Sequence, residues 1–501
     1  LDWLEELGYS VVGGPEIAPP PDGENPERES YGDVVLVDRL RSAINKFNPD
    51  IPEDAKEEAF KKVVQVAHAT PSLVMNNKIF HGYLRDGVDV EYMRDDGSVA
   101  GDKVKLAEFG DLESNDFLAV NQYTIIENNR NRRPDVIVFV NGLPVVVIEL
   151  KNPGDEKATV KNAYNQIQTY KQDIPTLFAY NELCVISDGI DARVGTISAS
   201  IEWFTRWRTV DGEELAPTAL PQLEVLLKGI FDKSRLLDLI SNFIVFDTDG
   251  DKTIKKAAAY HQYYATNKAV ESTMKATKEE GDRRAGVVWH TQGSGKSLTM
   301  VFYSGKVVQE LNNPTLVVLT DRNDLDQQLF GTFSRCSELL RQTPKQADSR
   351  EQLQELLHVA SGGVIFTTIQ KFLPQNGHTS YPMLSDRKNI VVIADEAHRS
   401  QYEFITGFAR HLRDALPNAS FIGFTGTPVE LTDRNTRAVF GEYVDVYDVT
   451  RAVEDNATVP IYYEARLARI ELKKEEQPRI DPEFEELTEG EEVERKEKLK
   501  S

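Results

Sequence analysis

The sequence predicts an α/β protein of two unlike halves, and three stretches carry that prediction. Arg133 to Asn152, RPDVIVFVNGLPVVVIELKN, reads as a buried β-hairpin with charge at one end. From about residue 245 apolar strands alternate with helices, the pattern of a parallel sheet. Within that region the run HTQGSGKS joins a strand to a helix through a glycine-rich loop. At 501 residues the chain is too long for one core, and its 40% hydrophobic content is ample for globular folding.

The chain starts LDWLEELGY, without an initiator Met, and reads as a piece cut inside a helix. Residues 1–65 look helical around a loop at 13–32 that is rich in Pro, Gly and charge. Residues 35–40 lead into a helix through Ile44, and 52–66 make another. Residues 80–90 and 103–109 alternate as strands, and 116–123 is strand-like.

In the hairpin, Val136–Val140 and Val145–Leu150 flank Asn141-Gly142, which suits the positive backbone angles of a tight turn. Asp135, Glu149 and Lys151 sit together at its end. Buried charge is tolerated when paired or metal-bound, and two carboxylates with an ammonium are what Mg²⁺-dependent phosphodiester cleavage uses. The alternative is an ordinary hairpin with charged ends. Register decides between them. With a strict two-residue turn Asp135 would face Ile148, so the carboxylates meet only if the loop is odd or a bulge shifts the pairing. Pro144, which lacks an N–H, makes a three- or five-residue loop a reasonable expectation.

A helix begins near Lys157 with Val160, Ala163, Tyr164, Ile167 and Tyr170 as its apolar stripe. Gln166 and Tyr170 are one turn apart and either face the carboxylates, to hold a phosphate or the metal's water shell, or pack under the sheet. Cys184 to Ser187 is the next strand. Trp203, Phe204, Trp207 and a helical run over 223–243 read as packing between domains. Asp247, Asp249 and Asp251 alternate like the start of a calcium loop, but Lys252 and Ala258 stand where its Gly and Glu belong.

In the second half, Val287-Val288-Trp289 is a strand, followed by His290, Thr291, Gln292, Gly293, Ser294, Gly295, Lys296 and Ser297. Such a loop offers backbone N–H groups to phosphates, with Lys296 on the β- and γ-phosphates and Ser297 on Mg²⁺. His290 replaces the first glycine of that pattern. The strand at 390–394 ends in Asp395-Glu396-Ala397-His398, placing a metal-holding and a water-polarising carboxylate in the crevice where ligands bind. Strands at 315–320, 364–368 and 421–424 end in Arg322, Thr367-Thr368 and Thr425-Gly426-Thr427-Pro428, groups suited to meeting a nucleic-acid backbone or to capping helices.

The formal net charge of −23 argues against a generally basic nucleic-acid surface, although 130–133, Lys255-Lys256 and Arg283-Arg284 are local basic clusters. No apolar run approaches a membrane span, and the separated Cys184 and Cys336 fit no metal pattern; a reducing cytoplasm is the expectation.

GSGKS, DEAH and TGTP, in this order, resemble the first RecA-like domain of superfamily 2 helicases and translocases. Tyr260-His261-Gln262 is similar to their adenine-reading motif, with Gln262 as the reader. The upstream hairpin, then QIQTY and SDGIDARVGT, resembles the PD-(D/E)xK nuclease domain of type I restriction enzyme R (HsdR) subunits. The resemblance implies Asp135 and Glu149 as metal ligands, Lys151 as the catalytic lysine and Gln166 with Tyr170 as an accessory motif. For the motor it implies Lys296, Ser297, Asp395 and Glu396 in ATP hydrolysis. It also implies double-stranded DNA as substrate and separate modification and specificity subunits as partners. The expected organisation is a nuclease domain over 1–220, a helical linker over 221–252, the first motor domain over 253–470 and the start of a charged helical linker over 471–501. The fold family places a further acid on its first helix, where Glu5 and Glu6 are the candidates. With no second motor domain in the sequence, weak nucleotide binding and poor hydrolysis are expected. Rival readings are a solitary helicase-nuclease of repair and a DNA-binding motor with an inactive nuclease.

Overall fold

The predicted hairpin lies in the middle of a six-stranded mixed sheet, in the order Ser10–Gly13, Phe117–Asn121, Val136–Val140, Leu143–Leu150, Leu183–Ser187 and Ala192–Gly195. The computed structural model describes residues 1–459 apart from 95, 153, 155–158, 321–322, 373–381, 398–407 and 428–438, and at 323–326 and 408–410 the backbone only. Arg322, His398, Pro428 and the run 471–501 therefore lie outside the described residues. Residues Leu1–Thr458 form one compact unit.

Every residue of Val136–Val140 is buried, as expected for a β-branched strand covered on both faces. Asn141 (φ 54°) and Gly142 (φ 81°) both adopt the left-handed backbone of a two-residue turn. A Cβ on Gly142 would stand 2.4 Å from the Leu36 carbonyl oxygen, so the turn is also a packing point. The wider loop expected from Pro144 does not form. The register instead slips within the ladder: Val138 pairs with Val146 and Phe139 with Pro144, leaving Val145 as the extra residue of a bulge.

The helix Val160–Asp173 buries Val160, Ala163, Ile167 and Tyr170, and the Thr159 hydroxyl accepts the Asn162 N–H at 3.3 Å. Residues 80–86 are not a strand. They finish the helix Leu73–Asp86, capped by Ser72 and ended at Gly87 with φ +85°, and the strand pair is Val88–Met93 with Val99–Val104. The buried positions Asn77, Phe80, His81 and Leu84 have helical spacing, but two of the four are polar, which hides the period.

The run 223–243 is two helices, Gln222–Ile230 and Lys233–Asn242, with Asp232 capping the second. Trp207 is buried and meets Tyr260 edge-on at 6.4 Å, whereas Trp203 is 74% exposed and takes no part in packing. The hairpin Ile244–Asp249 with Lys252–Ala257 follows. Its Asp247 lies on the first strand, not in a solvated turn, and pairs with Lys256 at 2.5 Å and Arg335 at 2.7 Å, an ion-paired strand residue rather than part of a calcium loop. Lys255 overturns the basic cluster expected there. Its ammonium is fully buried on Glu182 (2.6 Å), Asn77 Oδ1 (2.9 Å) and the Asn181 carbonyl (2.8 Å), with His81 Nδ1 at 3.0 Å from the same Glu182 oxygen. Buried charges persist only when paired in this way.

The second sheet has seven strands, all neighbours parallel, in the order Lys345–Gln346, Val364–Thr368, Thr315–Thr320, Ile390–Ala394, Ser420–Thr425, Arg284–His290 and Tyr443–Tyr447. The two edge strands escaped the sequence pattern, being short or interrupted by Asp445.

Candidate active site

The bulge at Val145 gives Asp135 the position opposite Glu149. Val136 pairs with Ile148, so the next pair outward is Asp135 with Glu149. Asp135 Oδ2 accepts the Leu150 N–H at 2.8 Å, and Oδ1 stands 3.4 Å from Gln122 Nε2. Glu149 is 3% exposed, and its Oε1 takes the Lys151 ammonium at 2.6 Å. Its other oxygen, Oε2, is buried with no hydrogen-bond partner among the described residues. Burial pushes the Glu149 carboxyl up to about 7; the Lys151 hydrogen bond opposes that rise and the Asp135 charge adds to it.

Gln166 and Tyr170 join this group rather than lying elsewhere under the sheet. The Tyr170 hydroxyl donates to the Arg133 carbonyl at 3.3 Å and stands beside Glu149 and Gln166. Its pKa is raised first by burial and then by the charges of Glu149 and Asp135. Asp188, in the turn that follows the Leu183–Ser187 strand, accepts the Val160 N–H at 3.0 Å and so anchors the start of the Gln166 helix. The first-helix acids do not complete the set: Glu6 pairs with Lys228 at 3.3 Å and Glu5 is exposed.

These residues fit a divalent cation. An orphaned buried carboxylate oxygen wants a positive partner, and hard oxygen donors suit Mg²⁺. Among the described residues no group of three or more His, Cys, Asp and Glu is placed to hold a metal. Two carboxylates are nevertheless enough for Mg²⁺, which commonly keeps several waters and takes further oxygens from phosphate.

At the second sheet, Gly293 (φ 89°) and Gly295 (φ 84°) shape the loop between Arg284–His290 and the helix Lys296–Glu310. Thr291 and Ser294 are buried, with Ser294 Oγ on the Thr291 carbonyl at 2.6 Å, while Gln292 and the two glycines are exposed. The Lys296 ammonium lies 3.1 Å from Asp395 Oδ1 and 2.7 Å from Glu396 Oε1, bringing the loop and the acidic strand end together. Burial raises the Asp395 carboxyl, with Lys296 opposing. Ser297, half-buried on the first turn, follows Lys296. Gln262 Nε2 donates to the Gly295 carbonyl at 3.1 Å, and its Oε1 caps Ala259 N–H at 3.0 Å. His290 is buried against Asp445, Nε2 to Oδ2 at 3.2 Å. Thr367, Thr368 and Thr425 are buried at their strand ends, and Thr425 Oγ1 closes the turn by accepting the Thr427 N–H at 3.2 Å. Thr427 alone of these four hydroxyl residues is exposed.

Comparison with known proteins reproduces this division. Residues 1–203 match the family model of the type I restriction enzyme R protein N terminus, and 261–497 match that of the SWI2/SNF2 ATPase. The HindI type I restriction enzyme endonuclease subunit of Haemophilus influenzae is 49% identical over 490 residues, covering 94% of this chain and 46% of that protein. The chain belongs to the HsdR family of type I restriction enzymes. A second relative, the MjaIXP endonuclease subunit of Methanocaldococcus jannaschii, is 39% identical over 97% of this chain and 47% of its own. The SauCOLORF180P type I endonuclease subunit of Staphylococcus aureus is 28% identical over 91% and 45%. The chain thus spans about half the length of the curated relatives it matches. No described helix is long and apolar enough to cross a membrane.

The residues of the hairpin end, with Gln166 and Tyr170, come together in one group, and the glycine-rich loop and the acidic strand end in another. Gln122 was missed. Its only sequence signal is position: it directly follows the strand that pairs with Val136–Val140.

Proposed function

We propose that the chain is the part of an R subunit in which a Mg²⁺-dependent endonuclease centre is joined to the first domain of an ATP-driven DNA translocase. The observation that carries this reading is the bulge-set pairing of Asp135 with Glu149, with Glu149 Oε2 buried and without a hydrogen-bond partner among the described residues and with Lys151 at hand. When bound, Mg²⁺ would supply Lewis-acid activation of a scissile phosphate and its attacking water. Asp135 and Glu149 would hold it. Lys151, on the strand face it shares with Glu149, would orient the water and balance charge. Tyr170 and Gln166 would hold a phosphate oxygen or the metal's water shell.

In the motor, the loop from Thr291 to Gly295 and Lys296 would take the nucleotide phosphates, and Gln262 would read adenine. Ser297 and Asp395 would hold Mg²⁺, and Glu396 would polarise the hydrolytic water. The ion pair between Lys296 and the two acids closes the site until phosphates displace it. Thr367, Thr368, Thr425 and Thr427, with Arg322, would couple the strand ends to DNA, and Thr427 is the one exposed hydroxyl there. Domain limits at 220, 252 and 470 belong to the same proposal, as do duplex DNA as substrate, modification and specificity subunits as partners, and a cytoplasmic setting.

The test is cleavage of duplex DNA by the assembled full-length enzyme with Mg²⁺ and ATP. Asp135→Ala is expected to abolish cutting while ATP consumption continues; Lys296→Ala is expected to abolish both. Cutting by Asp135→Ala, with Lys296→Ala inactive, would refute the nuclease assignment.

A further inference from the structure

Gln122 lies in the same cross-strand row as the two carboxylates. The Phe117–Asn121 strand pairs antiparallel with Val136–Val140, Asn121 opposite Val136, and the Gln122 N–H extends that ladder to the Asp135 carbonyl at 3.0 Å. Gln122, Asp135 and Glu149 therefore follow one another across three strands.

Its backbone is unusual. Gln122 has φ +56°, a left-handed conformation that Gly or Asn adopts more readily than a longer side chain does. Neighbours hold it there: the Gly14 N–H donates to the Asn121 carbonyl at 2.7 Å, and a Cβ on Gly14 would stand 2.4 Å from Gln122 O. The side chain so placed has Nε2 3.4 Å from Asp135 Oδ1, while the Leu150 N–H holds Oδ2. Asp135 thus has a hydrogen-bond partner on each oxygen, the Leu150 N–H of the neighbouring strand and the Gln122 amide just past the end of another. Strained non-glycine backbone beside a functional carboxylate is a recognised mark of a site under geometric demand.

We propose that Gln122 is a positioning residue of the cation site, its amide setting the rotamer in which Asp135 faces Glu149. The inference rests on the reading of Asp135 and Glu149 as cation ligands. A ligand oriented by an outer hydrogen bond loses affinity when that bond is removed, commonly by roughly tenfold or more.

The test is Mn²⁺ binding to this chain by titration calorimetry without nucleotide, with Asp135→Ala as the reference that removes the nuclease site and leaves the motor site. Gln122→Met keeps the side-chain length but not the amide. It is expected to weaken the Asp135-dependent binding roughly tenfold, with the thermal midpoint of the chain unchanged. Gln122→Gly relaxes the backbone, so it serves as the fold control and is expected to lose affinity as the Met variant does. Gln122→Met binding Mn²⁺ like the parent chain would overturn the inference and leave the cation site standing. Asp135→Ala binding Mn²⁺ like the parent would remove the cation site, and the inference with it.

Discussion

The Lys151 ammonium stands 2.6 Å from Glu149 Oε1, two residues apart on one strand face, and it only partly offsets what burial does to that carboxyl. The Glu149 group, pushed up to about 7, must give up its proton to any cation that binds, so proton and metal compete for it. Metal affinity is therefore expected to climb as pH rises through about 7 and to level off above it. Lys151→Ala removes a pKa-lowering partner and should move that climb to higher pH. For the metal-free chain the sign is opposite. Folding raises this carboxyl above its ordinary range, so its contribution to stability is fully present below that range and is lost as pH rises through about 7. Mn²⁺ affinity measured between about pH 5.5 and 8.5 checks this; a flat profile would contradict it.

Lys296 offers a second prediction. Its ammonium is occupied by Asp395 and Glu396, so phosphates must compete with that ion pair. Glu396→Gln should weaken the competition and bind a fluorescent ATP analogue at least as tightly as the parent chain, while the full-length enzyme loses hydrolysis. Lys296→Ala should lose most nucleotide affinity. Weaker binding by Glu396→Gln would contradict the competition.

The buried Lys255–Glu182 pair ties the Lys252–Ala257 strand to the residues just before Leu183–Ser187. Removing one partner strands a charge, so Lys255→Met should cost about 3–5 kcal/mol in chemical denaturation. The double variant Lys255→Met with Glu182→Leu should recover a large part of that loss, although His81 would then need a new partner. Equal loss in the single and double variants would show that packing, not charge, is what the cluster provides.

The turn itself supplies a fourth prediction. Gly142 has φ +81° and no room for a Cβ beside the Leu36 carbonyl. Gly142→Ala should lower stability by at least about 1–2 kcal/mol and loosen the hairpin, read as faster amide exchange at Val140 and Leu143.

The strands that form the two site floors were legible because β-branched runs, turn dipeptides and a glycine-rich loop are local signals. The register was not. An odd loop and a bulge satisfy the same requirement on Asp135 and Glu149, and the tight turn with the Val145 bulge is held by contacts distant in sequence, Gly142 against Leu36 and Asn141 on Leu106, Asn115 and Asp116. Lys255 reads in sequence as half of a basic cluster because its partner Glu182 lies 73 residues away. The helix ending at Asp86 was hidden because Asn77 and His81 occupy its buried face. Gln122 carried no local mark, since its importance comes from a neighbouring strand and a left-handed backbone that sequence does not display.

The pairing of Asp135 with Glu149 is tested most directly by crystals of this chain soaked in Mn²⁺ and measured at the manganese absorption edge. The expected anomalous peak lies between the Asp135 carboxylate and Glu149 Oε2, and it disappears in Asp135→Ala. Manganese found beside Ser297 and Asp395 but nowhere near Glu149 would contradict the account.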